Sequence, residues 1–331
     1  VKVHLMTGAL PLRDMQSLAH RAAAAGFAGL VVTEAGRTAY LSCAAAALSG
    51  ADIDLATGIA VAFPRSPMVT AQVAWELAEA TGGRFRLGIG PQVRAHVERR
   101  YASPFDPPGP RLREYVGAVR ACFAAFRGAP LAFAGRYYRL SLLPPRWSPG
   151  PLPDGLPDPP IDVAAVNPWM LRMAGEVADG VHVHPINTPA YYAQTLLPNL
   201  AGRPLTLFVP LFTPAGDGAR ERAPLREAAR SMVAFYGSTP NYAFIFDQLG
   251  RPGTTAAIRA RQKAGDIAGM AAVIDDDLLE QFVVEATWKE LPDRIADRVA
   301  PLVAAGHDVQ VVLYQGTADI ERFGAVAAAL R

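Results

Sequence analysis

The sequence predicts an α/β fold, a (β/α)8 TIM barrel with a helical insertion before its last strand. Three observations carry that expectation. Short β-branched runs alternate with helix-period segments from the first residues onward, the pattern of βα units on a parallel sheet. Eight such runs follow one another along the chain. The 331 residues exceed the usual compact domain, yet a barrel with insertions covers that length, so 1–331 is expected to form one domain.

The elements follow in order. Val3–Thr7 is the first strand, and Leu12–Ala25 a helix with Leu12, Met15, Leu18 and Ala19 on one face before Gly26 ends it. Gly29–Glu34 is the second strand, and Tyr40–Leu48 the next helix. The third strand lies in Leu55-Ala-Thr-Gly-Ile-Ala-Val-Ala-Phe-Pro-Arg-Ser-Pro67. There Thr57, Ile59 and Val61 favour extended backbone, while Gly58 signals a bulge or a close approach to the main chain. Pro67–Ala80 carries an apolar stripe and stops at Gly82-Gly83. Phe85–Gly90 is the fourth strand, turning at Gly90-Pro91-Gln92, and Arg111–Arg127 has a packing stripe at helical spacing.

Phe133–Leu140 is a small extended excursion. Over 141–160, most densely from Pro144 to Pro160, proline excludes regular structure. A long loop of this kind is expected to act as a lid or crossover at the mouth of a pocket. Ile161–Val166 is strand five; Asn167 then caps a helix with Pro168 at its first position. Val181–His184, a helix over Tyr191–Leu200 and Leu205–Phe212 come next. Residues 220–291 show only helical patterns. Within them Asp275-Asp276-Asp277 is a solvated helix start in preference to a metal site, and Thr287 to Glu290 has capping-box spacing. Asp308–Tyr314 is strand eight, and Asp319–Leu330 closes the chain.

Composition narrows the function classes. With 51% hydrophobic residues a large core can be built, but no apolar run approaches the roughly 18 residues of a membrane span. The net charge of +2 and the dispersed arginines argue against nucleic acid as a partner. Cys43 and Cys122 sit in Ala-rich helical segments as small buried hydrophobes. The chain starts directly in a strand pattern without a basic n-region, which points to the cytoplasm.

In a (β/α)8 barrel, function belongs to the loops at the C-terminal ends of the strands. That rule selects His4–Gly8, Glu34–Arg37, Ala60–Arg65, Gly90–His96, Val166–Trp169 and His184–Thr188. The helix opened by Asn167, Pro168 and Trp169 offers first-turn amides and a dipole to an anion such as a cofactor phosphate, as any capped helix would. His182 and His184 share a strand face, but further metal ligands are not apparent; His184 suits a ligand contact and His182 a core position. Glu34 ends an apolar strand and needs a partner, as a cap or as a functional carboxylate. Arg94 and His96 follow strand four, in the loop or on the wet face of a short helix.

Ala56-Thr-Gly-Ile-Ala-Val-Ala-Phe-Pro-Arg-Ser-Pro67, Gly82-Gly-Arg-Phe-Arg-Leu-Gly-Ile-Gly90, Arg111-Leu-Arg-Glu-Tyr115 and Ala174-Gly-Glu-Val-Ala-Asp-Gly-Val181 together resemble the bacterial luciferase-like superfamily. Within it the chain is similar to the oxidoreductases that use the deazaflavin coenzyme F420. The resemblance implies a non-prolyl cis peptide at Gly58–Ile59 in a bulge behind the coenzyme ring, with Gly58, Ile59 and Ala60 supporting one face. It further places Glu34 near the ring, Gly90, Pro91, Gln92 and Val93 beside it, Val166, Asn167, Pro168 and Trp169 around the phosphate, and His184 near the coenzyme side chain. A homodimer through barrel helices is also implied.

Two features depart from the family pattern. Many relatives follow strand two with an acid-histidine pair, where this chain has Glu34-Ala-Gly-Arg37, which turns the expectation from alcohol oxidation towards reduction of an activated C=C or C=O. Val166-Asn-Pro-Trp169 is bulkier than the small residues common before the phosphate helix. Glu34, His96 and His4 are the expected proton donors by position. The competing expectations are an FMN-dependent monooxygenase on the same barrel, a metal-dependent barrel hydrolase using His182 and His184, and a non-catalytic subunit in which Trp169 blocks the phosphate site.

Overall fold

The computed structural model describes residues 1–153, 155–200 and 202–331. Eight parallel strands close into a barrel: β1 (Lys2–Gly8), β2 (Gly29–Thr33), β3 (Asp54–Thr57, resuming at Ala60–Val61), β4 (Phe85–Gly90), β5 (Ile161–Ala164), β6 (Gly180–His182), β7 (Thr206–Leu211) and β8 (Asp308–Leu313). Each pairs with the next, and β8 pairs back onto β1 with Lys2 opposite Gln310 and Leu5 opposite Leu313. All eight expected strands are present.

The helices α1 (Leu12–Ala25), α2 (Ala39–Ala47), α3 (Pro67–Ala80), α4 (Arg94–Arg99), α5 (Pro108–Phe126) and α6 (Pro168–Val177) follow β1 to β5. Their apolar stripes pack onto the outer strand faces in one continuous core that includes Trp75, Phe123 and Phe126. Transferring such side chains from water contributes about 1.5–3 kcal/mol each, which is why the helical period and the core positions coincide.

A second, small cluster of Val31, Ala56, Phe208 and Val312, with Met6 against it, fills the barrel interior. Around it large side chains face glycines. A Cβ at Gly29 would lie 2.2 Å from His4 Nδ1, at Gly58 2.1 Å from Val31 Cγ1, at Gly88 2.4 Å from His182 Nε2, and at Gly180 2.4 Å from Asp162 Oδ1. The barrel closes around polar and branched groups because the opposite strand yields its side chain at each level.

The proline-rich segment is not a lid. Apart from a turn at Pro145–Trp147 its described residues are irregular, as expected, but they run down the outer wall: Trp75 Nε1 donates to Gly150 O at 3.0 Å, and Leu152 is buried. Leu87 N donates to Pro160 O at 2.8 Å, so the strap ends where β4 and β5 begin, at the face opposite the mouth. The reason is topological, since a loop that feeds a strand must end at that strand's N-terminal side. A cavity of about 840 Å³ lies beneath it, lined by Arg86, Arg120 and Arg127. Each is ion-paired, to Asp162, Asp179 and Asp158 respectively, which fits packing of the strap better than a ligand site.

After β7, helices α7 (Ala219–Gly237), α8 (Ala243–Gln248), α9 (Thr254–Lys263), α10 (Ile267–Ala272) and α11 (Asp276–Glu280) form the expected insertion, and α12 (Leu291–Ala304) precedes β8. Asp275 caps α11 through Leu278 N, and Asp276 pairs with Arg226 and Arg230, so the acidic triplet is a helix start. Thr287 and Glu290 bond reciprocally, Glu290 N to Thr287 Oγ1 at 3.3 Å and Thr287 N to Glu290 Oε2 at 3.4 Å, a capping box just before α12. Among the described residues no helix is long and apolar enough to cross a membrane.

Candidate active site

The mouth of the barrel is shaped by a break in β3. Ala56 pairs with Arg86 and Ala60 with Ile89, four residues of β3 against three of β4, so β3 carries one extra residue. The bulge falls at Gly58-Ile59, and the peptide bond between them is cis, as the resemblance implies. Thr57 replaces the lost ladder contacts with its side chain. Its Oγ1 donates to Gly88 O at 2.7 Å and accepts from Gly88 N at 3.0 Å. Ile59 stands half-buried at the rim, where a Cβ on Gly90 would lie 3.1 Å from its Cδ1.

Glu34 holds the far side of the bulge. Its Oε2 accepts from Val61 N at 2.7 Å and from Arg65 Nη1 at 2.9 Å, and Oε1 from Arg65 Nη2. The carboxylate is 3% exposed, and the guanidinium that answers it lies over the Tyr40 ring at 4.9 Å. A bidentate, charge-assisted pair of this kind fixes position as well as charge. Of the two readings of Glu34, the geometry therefore supports the structural one: both oxygens are committed to the loop after the bulge.

The other proposed donors separate. His4 lies inside the barrel, 3% exposed, its Nε2 2.7 Å from Gln310 Oε1 and its ring 5.4 Å from that of Phe208. Burial lowers its pKa. It is a core histidine, and the interior position of residue 4, well before the end of β1, is what positional reasoning overlooked. His96 is exposed on α4. Gln92 is exposed at φ 58°, its Oε1 accepting from Val93 N at 2.9 Å, and Pro91 and Val93 are half-buried beside it.

At β5 the expected cap is present: Asn167 Oδ1 accepts from Met170 N at 3.0 Å, with Pro168 at the first position of α6. Val166 O accepts from Tyr191 Oη at 2.8 Å, tying the turn down. Trp169 is 42% exposed and leans on α5, where a Cβ on Gly109 would lie 2.3 Å from its ring. The indole is thus seated on a neighbouring helix through a glycine made for it.

His182 and His184 do not act as a pair. His182 is stacked on Phe208, centroids 4.6 Å apart and planes at 12°, and burial, with Arg86 and His4 adding to it, pushes its pKa down to about 3. β6 ends at His182, so the alternation stops before His184. His184 Nδ1 accepts from Ile186 N at 3.3 Å, leaving Nε2 with the proton, and its ring meets Tyr236 at 4.7 Å and Tyr242 at 4.4 Å. Burial holds it neutral, its pKa down to about 3. Among the described residues no group of three His, Cys, Asp or Glu is placed to hold a metal ion, and His182 and His184 do not converge on one point.

Sequence reasoning placed Thr57 in the third strand and Arg65 in the loop after it without giving either a role, and it missed Tyr236, Tyr242 and Tyr314 as site residues. Tyr314 follows β8 directly, so the strand-end rule that selected the other loops points to it. Its hydroxyl is 2.9 Å from that of Tyr236, and its ring 4.7 Å from Phe212 at the end of β7. A cavity of about 410 Å³ opens beside it, lined also by Met6, Thr7, Gly8 and Thr33 at the ends of β1 and β2.

A closed parallel barrel with a bulged third strand and a capped helix after the fifth is a barrel of the luciferase-like type. The chain belongs to the luciferase-like monooxygenase family, which it matches over residues 1–305. It is 35% identical over 299 residues to an uncharacterized protein of Mycobacterium tuberculosis, covering 85% of this chain and 87% of that one. It is 26% identical over 280 residues to the 5,10-methylenetetrahydromethanopterin reductase of Archaeoglobus fulgidus, covering 82% and 79%. Among solved structures, the coenzyme F420-dependent tetrahydromethanopterin reductase from Methanopyrus kandleri has the same fold, with a TM-score of 0.77 at 21% identity over 98% of this chain and 97% of that one.

Proposed function

We propose that the chain is a coenzyme F420-dependent oxidoreductase that reduces an activated C=C or C=O of a small organic substrate. The observation that carries this is the bulge of β3, which raises Ile59 at the barrel rim opposite the side-chain-free Gly90 and is held there by Thr57 and the Glu34–Arg65 pair. Such a rim would offer an apolar side chain as support for one face of a planar ring. The relationship to a methylenetetrahydromethanopterin reductase favours the same class.

The residues fit the coenzyme. Gly58, Ile59 and Ala60 would support the ring, Gly90, Pro91, Gln92 and Val93 would flank it, and the turn Val166, Asn167, Pro168 and Trp169 would receive the phosphate at the start of α6. His184, neutral and carrying its proton on Nε2, would donate towards the coenzyme side chain. Bound there, the deazaflavin supplies hydride transfer at C5. The chain itself orients: Glu34 acts through Arg65 and the Val61 amide, and Ile59 keeps water off the ring face.

Anaerobic mixing with reduced F420 and 2-cyclohexen-1-one tests the activity. Return of the oxidised coenzyme's absorption in proportion to enzyme is expected. Oxygen uptake with reduced FMN, and no deazaflavin turnover, would instead assign the FMN-dependent monooxygenase. A cytoplasmic homodimer belongs to the same proposal. Leu12 on α1, Leu41 on α2, Leu48 just beyond it and Val69 on α3 leave apolar side chains exposed. Light scattering is expected to give twice the chain mass, and a Leu41→Lys, Leu48→Lys double variant to be monomeric.

A further inference from the structure

On that functional reading a reduction needs a proton as well as a hydride, and the donors named by position are otherwise engaged. Glu34 is committed to Arg65 and Val61, His4 lies in the barrel interior, and His96 is exposed on α4. His184 uses Nδ1 on Ile186 N and turns its ring to Tyr236 and Tyr242. A further donor stands directly after β8, the hydroxyl pair of Tyr314 and Tyr236.

We propose that Tyr314 is the proton donor to the substrate, that Tyr236 is its positioning residue, and that the cavity beside Tyr314 takes a small, uncharged carbonyl or enone. Tyr314 lines that cavity at the end of β8, while Tyr236 comes from α7 of the insertion. Two hydroxyls 2.9 Å apart share one hydrogen bond, so one of their two protons is left for a third group. Burial raises both tyrosines above the ordinary range, so both stay protonated at neutral pH. Of the two hydroxyls only that of a cavity-lining residue, Tyr314, can offer its proton there, which it does when Tyr236 is the donor within the pair. The charged or titratable neighbours are His184 and Tyr242 on the Tyr236 side and Arg21 on the cavity.

The step balances. As the carbonyl carbon takes up hydride from the reduced deazaflavin, the C=O π bond breaks and its oxygen takes the Tyr314 Oη proton. The phenolate left behind accepts from Tyr236 Oη and is reprotonated by water. In an enone the hydride would add at the β-carbon instead, the C=C π electrons would move to form the enol as the carbonyl oxygen takes the same Tyr314 proton, and the enol then returns to the ketone. The cavity's lining matches such a substrate: Met6 and Leu10 for an apolar body, with no carboxylate to repel a developing oxyanion.

4-Nitrophenolate is the test probe, an oxyanion whose absorption reports hydrogen bonding, titrated against the protein with and without F420. Wild type is expected to bind it with a shifted absorption maximum. Tyr314→Phe should lose affinity about tenfold or more, the range for a hydrogen bond to a charged group. Tyr236→Phe should keep binding but move the maximum back towards its value in water. With reduced F420 and 2-cyclohexen-1-one, Tyr314→Phe should turn over about 100-fold slower at unchanged coenzyme affinity. Nitrophenolate that fails to bind, or binds Tyr314→Phe as tightly as wild type, overturns the proposal. Failure of wild type to bind F420 overturns the functional reading instead, and the coenzyme-free titration still reports on the tyrosine pair.

Discussion

At the scale of single residues, the site rests on side chains that hold backbone. Glu34 binds nothing but its own fold, yet it is the hinge pin of the mouth, because Val61 N and Arg65 both end on it. Removing one partner of a nearly buried pair leaves the other uncompensated, a loss of about 3–5 kcal/mol for a fully buried pair and less here, where Arg65 is 21% exposed. Glu34→Gln is therefore expected to cost about 2–3 kcal/mol in urea unfolding and to weaken coenzyme binding at least tenfold. Unchanged coenzyme affinity would remove Glu34 from the account of the site. The carboxylate at a strand end was legible in the sequence; its partner was not, since Arg65 lies 31 positions away and only the pairing of β2 with β3 brings them together. His4 shows the converse. Its position near a strand suggested chemistry, but only the register, with His4 opposite Gly29, reveals that it sits below the rim in a gap left by a glycine.

At the scale of elements, the strongest local signals gave the surest results. Asn167-Pro168 marks the start of α6 because capping chemistry is confined to neighbouring residues, and the bulge follows from a glycine inside a β-branched run. The proline-rich strap was misjudged for the opposite reason: its composition excludes helix and strand but says nothing about which face of the barrel it crosses. The insertion was visible as helical period, whereas the approach of Tyr236 and Tyr242 to His184 depends on how α7 and the turn before α8 fold back. Asn167→Ala tests the element directly. Loss of the bond to Met170 N should lower stability by about 1 kcal/mol and weaken coenzyme binding, with a smaller effect on a phosphate-free deazaflavin. Equal weakening for both ligands would move the phosphate away from α6.

At the scale of the whole molecule, 1–331 is proposed to unfold as one domain, with acid sensitivity built into the barrel interior. His4 and His182 are nearly fully buried and neutral, their pKa values held below 6.5 chiefly by burial. The unfolded chain therefore binds more protons as pH falls through 6.5, and stability that is fully present above that point is lost below it, at about 1.4 kcal/mol per pH unit for His182, with His4 acting in the same direction. Asp162, whose pKa burial raises, opposes this slope. Urea midpoints should fall clearly between about pH 7.5 and about pH 5.5, and His182→Phe should flatten the fall; equal midpoints would contradict it. The central claim, that this rim holds a deazaflavin, is tested most directly by parallel titrations of the protein with F420 and with FMN, followed by F420 fluorescence quenching and FMN difference absorption. Saturable micromolar binding of F420, lost when Ile59 is replaced by lysine while FMN binds more weakly, is the predicted result. Micromolar binding of FMN without binding of F420 would contradict it.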